Sequence, residues 1–347
     1  MTQDPPPPAS AHVASRIEDL VDGVVGSRLR SRGWRPAVVP YTGYGTTEWV
    51  RVLARVQLAP PDAPAGRAKD ARGWRAFLSA SSSGVPVHVR VGDETHVVES
   101  LREGYVDVRL PVRLPAGWGA AELSVDGSPP VEAPLRIVGE TERFGLLSDI
   151  DDTVIVTMLP RPALAFWNAF MVRTSARRPV PGMAELYRDI VESTRGVVVV
   201  YLSTGAWNTA PTISDFLDRH GFPAGPMLMT DWGPTRKGWF RSGAAHKRAQ
   251  LRRLMDELPQ VRWLLVGDDG QHDPTIYAEA ASAAPETVVG VAIRQLSTTE
   301  QVLSHGTPTT GDTGESLRSA PYPSVRAVDG HGLREELARH GILEPKG

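Results

Sequence analysis

The sequence predicts a parallel, doubly wound α/β domain preceded by an antiparallel β-sandwich, and three observations predict it. After Gly145, short continuous apolar runs ending in polar residues (GLLSD, VVVVYLST, WLLVGDD, TVVGVAI) are separated by helical patterns such as Leu251, Leu254, Met255 and Leu258. Strands buried on both faces and alternating with helices form parallel sheets flanked by helical layers. Between about Arg35 and Glu140 the apolar period is two: Val50, Val52, Ala54, Val56 and Leu58 alternate with Arg51, Arg55 and Gln57, and Val85 to Val91 repeats the pattern. Several such runs broken by Gly, Pro and Asp turns indicate an antiparallel sandwich or barrel. Finally, 347 residues, 41% of them hydrophobic, leave room for more than one core.

The elements follow in chain order. Residues 1–11 are Pro-rich and are expected to be disordered. Residues 12–34 form a helix, since Val13, Ile17, Leu20, Val21 and Val24 lie on one stripe. Residues 35–140 make the β-sandwich, a stretch without a concentrated catalytic constellation. Residues 141–296 make the α/β domain. Residues 297–328, rich in Ser, Thr, Gly and Pro, are expected to be a linker or mobile loop. Residues 329–347 hold a final helix, with Asp329 as N-cap before Leu333, Leu337 and Ile342.

Composition excludes several function classes. A net charge of −2 gives no global attraction toward nucleic acid, and none is expected as a partner. The absence of cysteine removes disulfides, thiolate metal sites and cysteine nucleophiles, and fits a reducing compartment. The start, MTQDPPPPASAHVAS, lacks the charged and apolar regions of a signal peptide. The longest aliphatic run, Val197 to Leu202, is far below the ~20 residues of a membrane helix. A cytoplasmic protein is the expectation.

Chemistry gathers at the carboxyl ends of strands in such sheets, and two acidic clusters stand there. Asp149-Ile150-Asp151-Asp152-Thr153 follows FGLLS, and Gly267-Asp268-Asp269-Gly270-Gln271-His272-Asp273-Pro274 follows WLLV. One carboxylate at a strand tip can attack phosphorus, while a second two residues on can protonate the leaving oxygen and later deprotonate water. The bland reading of the first cluster is an Asp-rich turn with a helix cap. Acidic residues ending two strands of one sheet require neutralisation, which a hard divalent cation such as Mg²⁺ provides. Between them lie Ser203-Thr204, with hydroxyls suited to a phosphoryl oxygen, and Lys247, able to neutralise developing charge. Trp207 and Asn208 either frame the phosphoryl pocket or pack and cap a helix. Lys237 is a rival to Lys247, but sits in a Gly-rich segment.

The order D-x-D-x-T, Ser/Thr, Lys, Gly-Asp-Asp resembles the Mg²⁺-dependent phosphohydrolases of the haloacid dehalogenase superfamily, over residues 141–296. The resemblance implies a HAD-like Rossmannoid fold, with Asp149 as nucleophile and Asp151 as general acid/base whose backbone carbonyl also reaches the metal. It implies support from Thr153, phosphoryl contacts from Ser203 and Lys247, and a metal site completed by Asp268, with Asp273 orienting that end. PYTGYGT near residue 40, FGLLSDIDDTV, YLSTGAWN, AHK and LLVGDDGQHDP together resemble the actin-patch type of phosphatidate phosphatases and their bacterial relatives. Two positions depart from that family: Gly205-Ala206 stands where Ser-Pro is commoner, and Asp269 stands where Ser is usual, adding a negative charge beside the metal.

The resemblance implies a phosphate-ester substrate, with phosphatidate or another lipid phosphate foremost, reached by peripheral membrane contact. Thr204, Trp207 and Asn208 are the candidate substrate-binding residues. Met158 to Val172 fills the place of a short flap. Phe166, Trp167 and Phe170 either touch acyl chains or pack into the core, beside Arg161, Arg173, Arg177 and Arg178. A soluble phosphomonoester, or a phospho-acceptor protein without turnover, remains the alternative.

Overall fold

The computed structural model of the chain describes residues 26–61, 82–156, 178–230, 243–270, 272–297, 300 and 322–344. The Pro-rich tail, residues 12–25 of the expected first helix, Lys237, most of residues 297–328 and the flap with Phe166, Trp167, Phe170 and most of its arginines lie outside them. The described residues fall into two compact units, one up to Gly139 and the other from Glu140 onward.

In the first unit, residues 26–30 are helical and seven strands follow. They are β1 (Arg35–Thr46), β2 (Trp49–Ala59), β3 (Pro86–Val91), β4 (Glu94–Glu99), β5 (Tyr105–Pro111), β6 (Gly117–Ser124) and β7 (Val131–Val138). The inward residues of the period-two runs, Val50, Val52, Ala54 and Val56 with Val87, Val89, Leu123, Leu135 and Ile137, meet in one core. All seven strands belong to a single sheet in the order β4-β3-β6-β7-β1-β2-β5, and its edge strands β4 and β5 touch, so the sheet curls toward a barrel. The sequence indicated antiparallel pairing, and among the described residues every pairing but one has it. The exception is β1 with β7, which runs parallel. Alternation reports that a strand has one buried face, but is silent about the direction of its neighbour.

The opposite face of β2 also departs from the simple pattern, because Arg55 and Gln57 are buried. Arg55 donates from Nε to the Glu103 carbonyl at 3.0 Å and lies 4.9 Å from the centre of the Tyr105 ring. The glycines of PYTGYGT have a local cause. Register slips between Tyr41 and Tyr44, and a Cβ on Gly43 or Gly45 would collide with the backbone of β2.

The second unit is an all-parallel six-stranded sheet with helices between its strands. Its elements are β8 (Phe144–Asp149), α1 (Met183–Ser193), β9 (Val198–Ala206), α2 (Ala210–Arg219), β10 (Met227–Thr230), α3 (Gly243–Glu257), β11 (Arg262–Asp268), α4 (Asp273–Ala283), β12 (Val288–Arg294), β13 (Ser324–Ala327) and α5 (Gly330–Arg339). Strand order is β10-β9-β8-β11-β12-β13. The chain therefore leaves β8 on one side for β9 and β10, then returns past it to β11, β12 and β13. In open α/β sheets ligands bind at such a reversal, here beyond the carboxyl end of β8. Each helix buries an apolar stripe, such as Ile213, Phe216 and Leu217 on α2 or Leu251, Leu254 and Met255 on α3. Asp329 caps α5 by accepting from the Gly332 amide at 2.9 Å. β13 lies inside the stretch read as a linker. It has four residues, of which only Val325 is buried, too short a pattern to stand out among Ser, Thr and Gly.

Candidate active site

The carboxyl ends of β8, β9 and β11, with the starts of α3 and α4, converge on one polar cluster. Asp149 ends β8, Asp268 ends β11, Asp273 opens α4 and Lys247 lies near the start of α3, and all four side chains are buried. Lys247 Nζ lies 2.5 Å from Asp149 Oδ1 and 2.6 Å from Asp273 Oδ1, donating a hydrogen bond to the latter. Thr153 Oγ1 donates to Asp149 Oδ2 at 3.3 Å. Asp268 Oδ1 accepts from the Gly270 amide at 2.7 Å. At the helix start, the α4 dipole favours the Asp273 carboxylate.

Ser203, in the last part of β9, is also fully buried. Its Oγ accepts from the Gly205 amide at 2.9 Å and donates to Asp151 Oδ2 at 3.1 Å. Thr230, ending β10, donates to the carbonyls of Thr204 and Gly205 at 2.7 and 3.0 Å, which fixes the course of the chain after Ser203. Thr204 is half-buried with its methyl side against Gly243. Trp207 is buried in the short helical turn Trp207–Thr209, and the half-buried Asn208 leaves its Oδ1 enclosed without a hydrogen bond.

Charge in the cluster is unbalanced. Three buried carboxylates face one ammonium. Burial, reinforced by Asp273 and Asp151 and only partly offset by Lys247, pushes Asp149 well above the usual carboxylate range. Burial together with Asp273 and Asp149 does the same to Asp268. For Lys247 burial works against the charge, but Asp149, Asp273 and Asp268 outweigh it and hold the amine above its ordinary value. Such crowding is relieved by a proton or a cation.

The donor set fits a hard cation. One carboxylate oxygen from each of Asp149, Asp268 and Asp273 lies within 4.8 Å of the others, and Asp268 Oδ2 and Asp273 Oδ2 are buried without hydrogen-bond partners. Oxygen ligands suit Mg²⁺ or Ca²⁺ better than softer metals. The Asp151 side chain is outside this trio and turned to Ser203. Asp269, next in the chain, makes a contact of its own. Its Oδ1 accepts from the Leu296 amide at 2.8 Å, and although burial raises its pKa, that amide, Arg326 and Arg294 partly counter the rise.

Sequence reasoning missed the residues that hold the loop. Ser148 donates to the Asp149 carbonyl at 2.6 Å and lies 2.5 Å from the Tyr187 hydroxyl, which must then donate to it. Arg294, buried at the end of β12, donates to the Asp152 carbonyl at 2.7 Å. A charged residue ending the apolar run TVVGVAI was the available signal.

An all-parallel sheet with a buried aspartate cluster at its carboxyl edge, able to chelate a divalent cation, is compatible with a catalytic or metal site. More particularly, residues 144–295, a little under half of the chain, match the family described as phosphatidate phosphatase APP1, catalytic domain. An uncharacterised Schizosaccharomyces pombe protein is 26% identical over 169 residues, covering 48% of this chain and 28% of that protein. The phosphatidate phosphatase APP1 of Saccharomyces cerevisiae is 23% identical over 152 residues, covering 44% of this chain and 26% of its own length. The chain thus spans about a quarter of the length of these curated relatives. Among solved structures, the HAD domain of the Legionella pneumophila effector Lem4 aligns with 51% of this chain and 92% of its own, at 13% identity and a TM-score of 0.30.

Proposed function

We propose that this protein is a Mg²⁺-dependent phosphomonoesterase that works through an aspartyl-phosphate on Asp149. The observation that carries the reading is the buried trio Asp149, Asp268 and Asp273, braced by Lys247, with two carboxylate oxygens left unpartnered. Asp149, Asp268 and Asp273, with the Asp151 backbone carbonyl, would hold the Mg²⁺, which when bound neutralises phosphoryl charge and aligns the attacking carboxylate.

In the first half-reaction an Asp149 oxygen attacks phosphorus and the ester P–O bond breaks, while Asp151 gives its proton to the departing alkoxide. In the second, Asp151 removes a proton from water as the water attacks phosphorus. The bond from phosphorus to Asp149 then breaks, releasing inorganic phosphate and restoring both carboxyl groups. Ser203, whose proton is directed to Asp151 before substrate arrives, turns it to a phosphoryl oxygen. Lys247 offsets the charge on the transferring group, and Thr153 steadies Asp149. Thr204, Trp207 and Asn208 contact substrate beside the phosphoryl group, with the Asn208 amide nitrogen able to donate to a phosphoryl oxygen.

The substrate class proposed is a lipid phosphate, with phosphatidate foremost, because the yeast relative is a phosphatidate phosphatase. Peripheral contact with the lipid from the cytoplasm is part of the proposal; no helix among the described residues is long and apolar enough to cross a membrane. The test is phosphate release from phosphatidate, lysophosphatidate and soluble monophosphates, with and without Mg²⁺, for wild type and Asp149→Asn. Release that needs both Mg²⁺ and Asp149 and favours the lipids is expected. Equal rates on soluble esters would overturn the lipid assignment, and turnover surviving Asp149→Asn would overturn the mechanism.

A further inference from the structure

One buried charge outside the proposed chemistry grips the loop that carries it. Arg294 is only 5% exposed. Its guanidinium donates in three directions: from Nη1 to the Asp152 carbonyl at 2.7 Å, from Nη2 to Glu300 Oε1 at 2.6 Å, and from Nε to the Val328 carbonyl at 3.2 Å. A lysine gathers its donors on one nitrogen, whereas the planar fork of arginine reaches acceptors on three separate segments.

Asp152 is where such a grip matters. It adopts a left-handed conformation, φ 57°, which a residue with a side chain rarely takes. Inside the turn, the Asp152 amide donates to the Ile155 carbonyl at 2.9 Å, and the Val154 and Ile155 amides donate to the Ile150 carbonyl at 2.9 and 3.1 Å. Arg294 takes the Asp152 carbonyl from outside the turn. The residue it holds directly follows Asp151, whose Oδ2 accepts from Ser203 Oγ at 3.1 Å.

We infer that Arg294 is a positioning residue: by holding the left-handed Asp152 it sets where Asp151 stands relative to Asp149. The consequence for catalysis rests on the phosphatase reading, while the clamp itself rests on the hydrogen bonds alone. Glu300 separates this role from general stability, because it pairs with Nη2 of the same guanidinium and accepts from the Ser297 amide, whereas Nη1 grips the loop.

The experiment compares Arg294→Met, Arg294→Lys and Glu300→Gln in the full chain by steady-state kinetics and by hydrogen exchange of the peptide spanning residues 149–156. Arg294→Met is expected to lower kcat by about tenfold or more, the scale of a small misplacement of reacting groups. KM and half-saturating Mg²⁺ should stay within about threefold, the signature of lost transition-state geometry rather than lost binding. Exchange in residues 149–156 should quicken in Arg294→Met and recover in part in Arg294→Lys, while Glu300→Gln keeps kcat within about threefold. Unchanged exchange in Arg294→Met, or a kcat loss in Glu300→Gln equal to that in Arg294→Met, would overturn the inference. If wild type releases phosphate from no ester, the phosphatase reading fails, and the exchange comparison still decides the clamp.

Discussion

Lys247 stands between two carboxylates with almost no exposure to water, so neither its charge nor theirs can be solvated separately. Removing one partner of such a buried set costs about 3–5 kcal/mol. Lys247→Met should therefore lower the thermal midpoint of the metal-free protein and reduce kcat by about a hundredfold or more. Differential scanning fluorimetry in a chelator and phosphate-release kinetics check the two halves. Asp151→Asn has a sharper signature. A good leaving group needs no proton, so this variant should lose about 10²–10⁴ in rate on alkyl phosphates and much less in the first step on aryl phosphates. A uniform loss across leaving groups would remove Asp151 from the acid role. This part of the site was legible because acidic residues end two apolar runs, a pattern costly without a counter-charge. Tyr187 and Thr230 were not, since a tyrosine on a helical stripe and a threonine ending a strand carry no spacing of their own, and Arg294 offered only the charge that closes the run TVVGVAI. Asp269 was legible only as a second acid beside Asp268; that its Oδ1 accepts from the Leu296 amide depends on a segment far along the chain.

At the scale of elements, period and run length revealed β8, β9, β11 and β12 because each is a continuous apolar stretch bounded by polar residues. β13 escaped because four residues with one buried side chain leave no period to read. The parallel pairing of β1 with β7 escaped because direction is decided by connections, not by alternation. The glycines of PYTGYGT are explained by packing within the first unit. A methyl group on Gly43 would meet the Arg51 carbonyl and the Leu135 side chain, so Gly43→Ala should destabilise the protein by about 1–3 kcal/mol, the usual cost of overpacking. Urea denaturation followed by fluorescence measures it, and an unchanged midpoint would mean that β1 has room to move. In the second unit Gly330 meets the backbone at Gly182, and its amide donates to the Pro181 carbonyl at 2.9 Å, bringing the start of α5 against the start of α1. α1 in turn presents Tyr187 to Ser148, so a C-terminal helix braces a helix that touches the site loop.

For the whole molecule, the concentration of negative charge links metal, pH and stability. Asp149 and Asp268 have folded-state pKa values raised by burial above the unfolded carboxylate value. Between those values the metal-free native state binds more protons than the unfolded chain, so its stability falls as pH rises through that window and returns as pH falls. In chelator, the thermal midpoint should therefore rise on going from about pH 7.5 to about pH 5.5, and Mg²⁺ at the higher pH should restore it by binding the native state. Asp268→Asn should flatten both responses, and a wild-type midpoint that falls on mild acidification without metal would contradict this account. Residues 144–295, the stretch that matches the phosphatidate phosphatase family, contain the whole cluster, so the proposed activity belongs to the unit from Glu140 onward. Covalent transfer to Asp149 is the step on which the proposed mechanism turns. It is tested most directly by mixing Asp151→Asn with an aryl phosphate and Mg²⁺, quenching in acid and mapping the adduct by peptide mass spectrometry. Without the base that activates water, a phosphoryl group should accumulate on Asp149. Phosphate release with no adduct there, or an adduct on another residue, would contradict it.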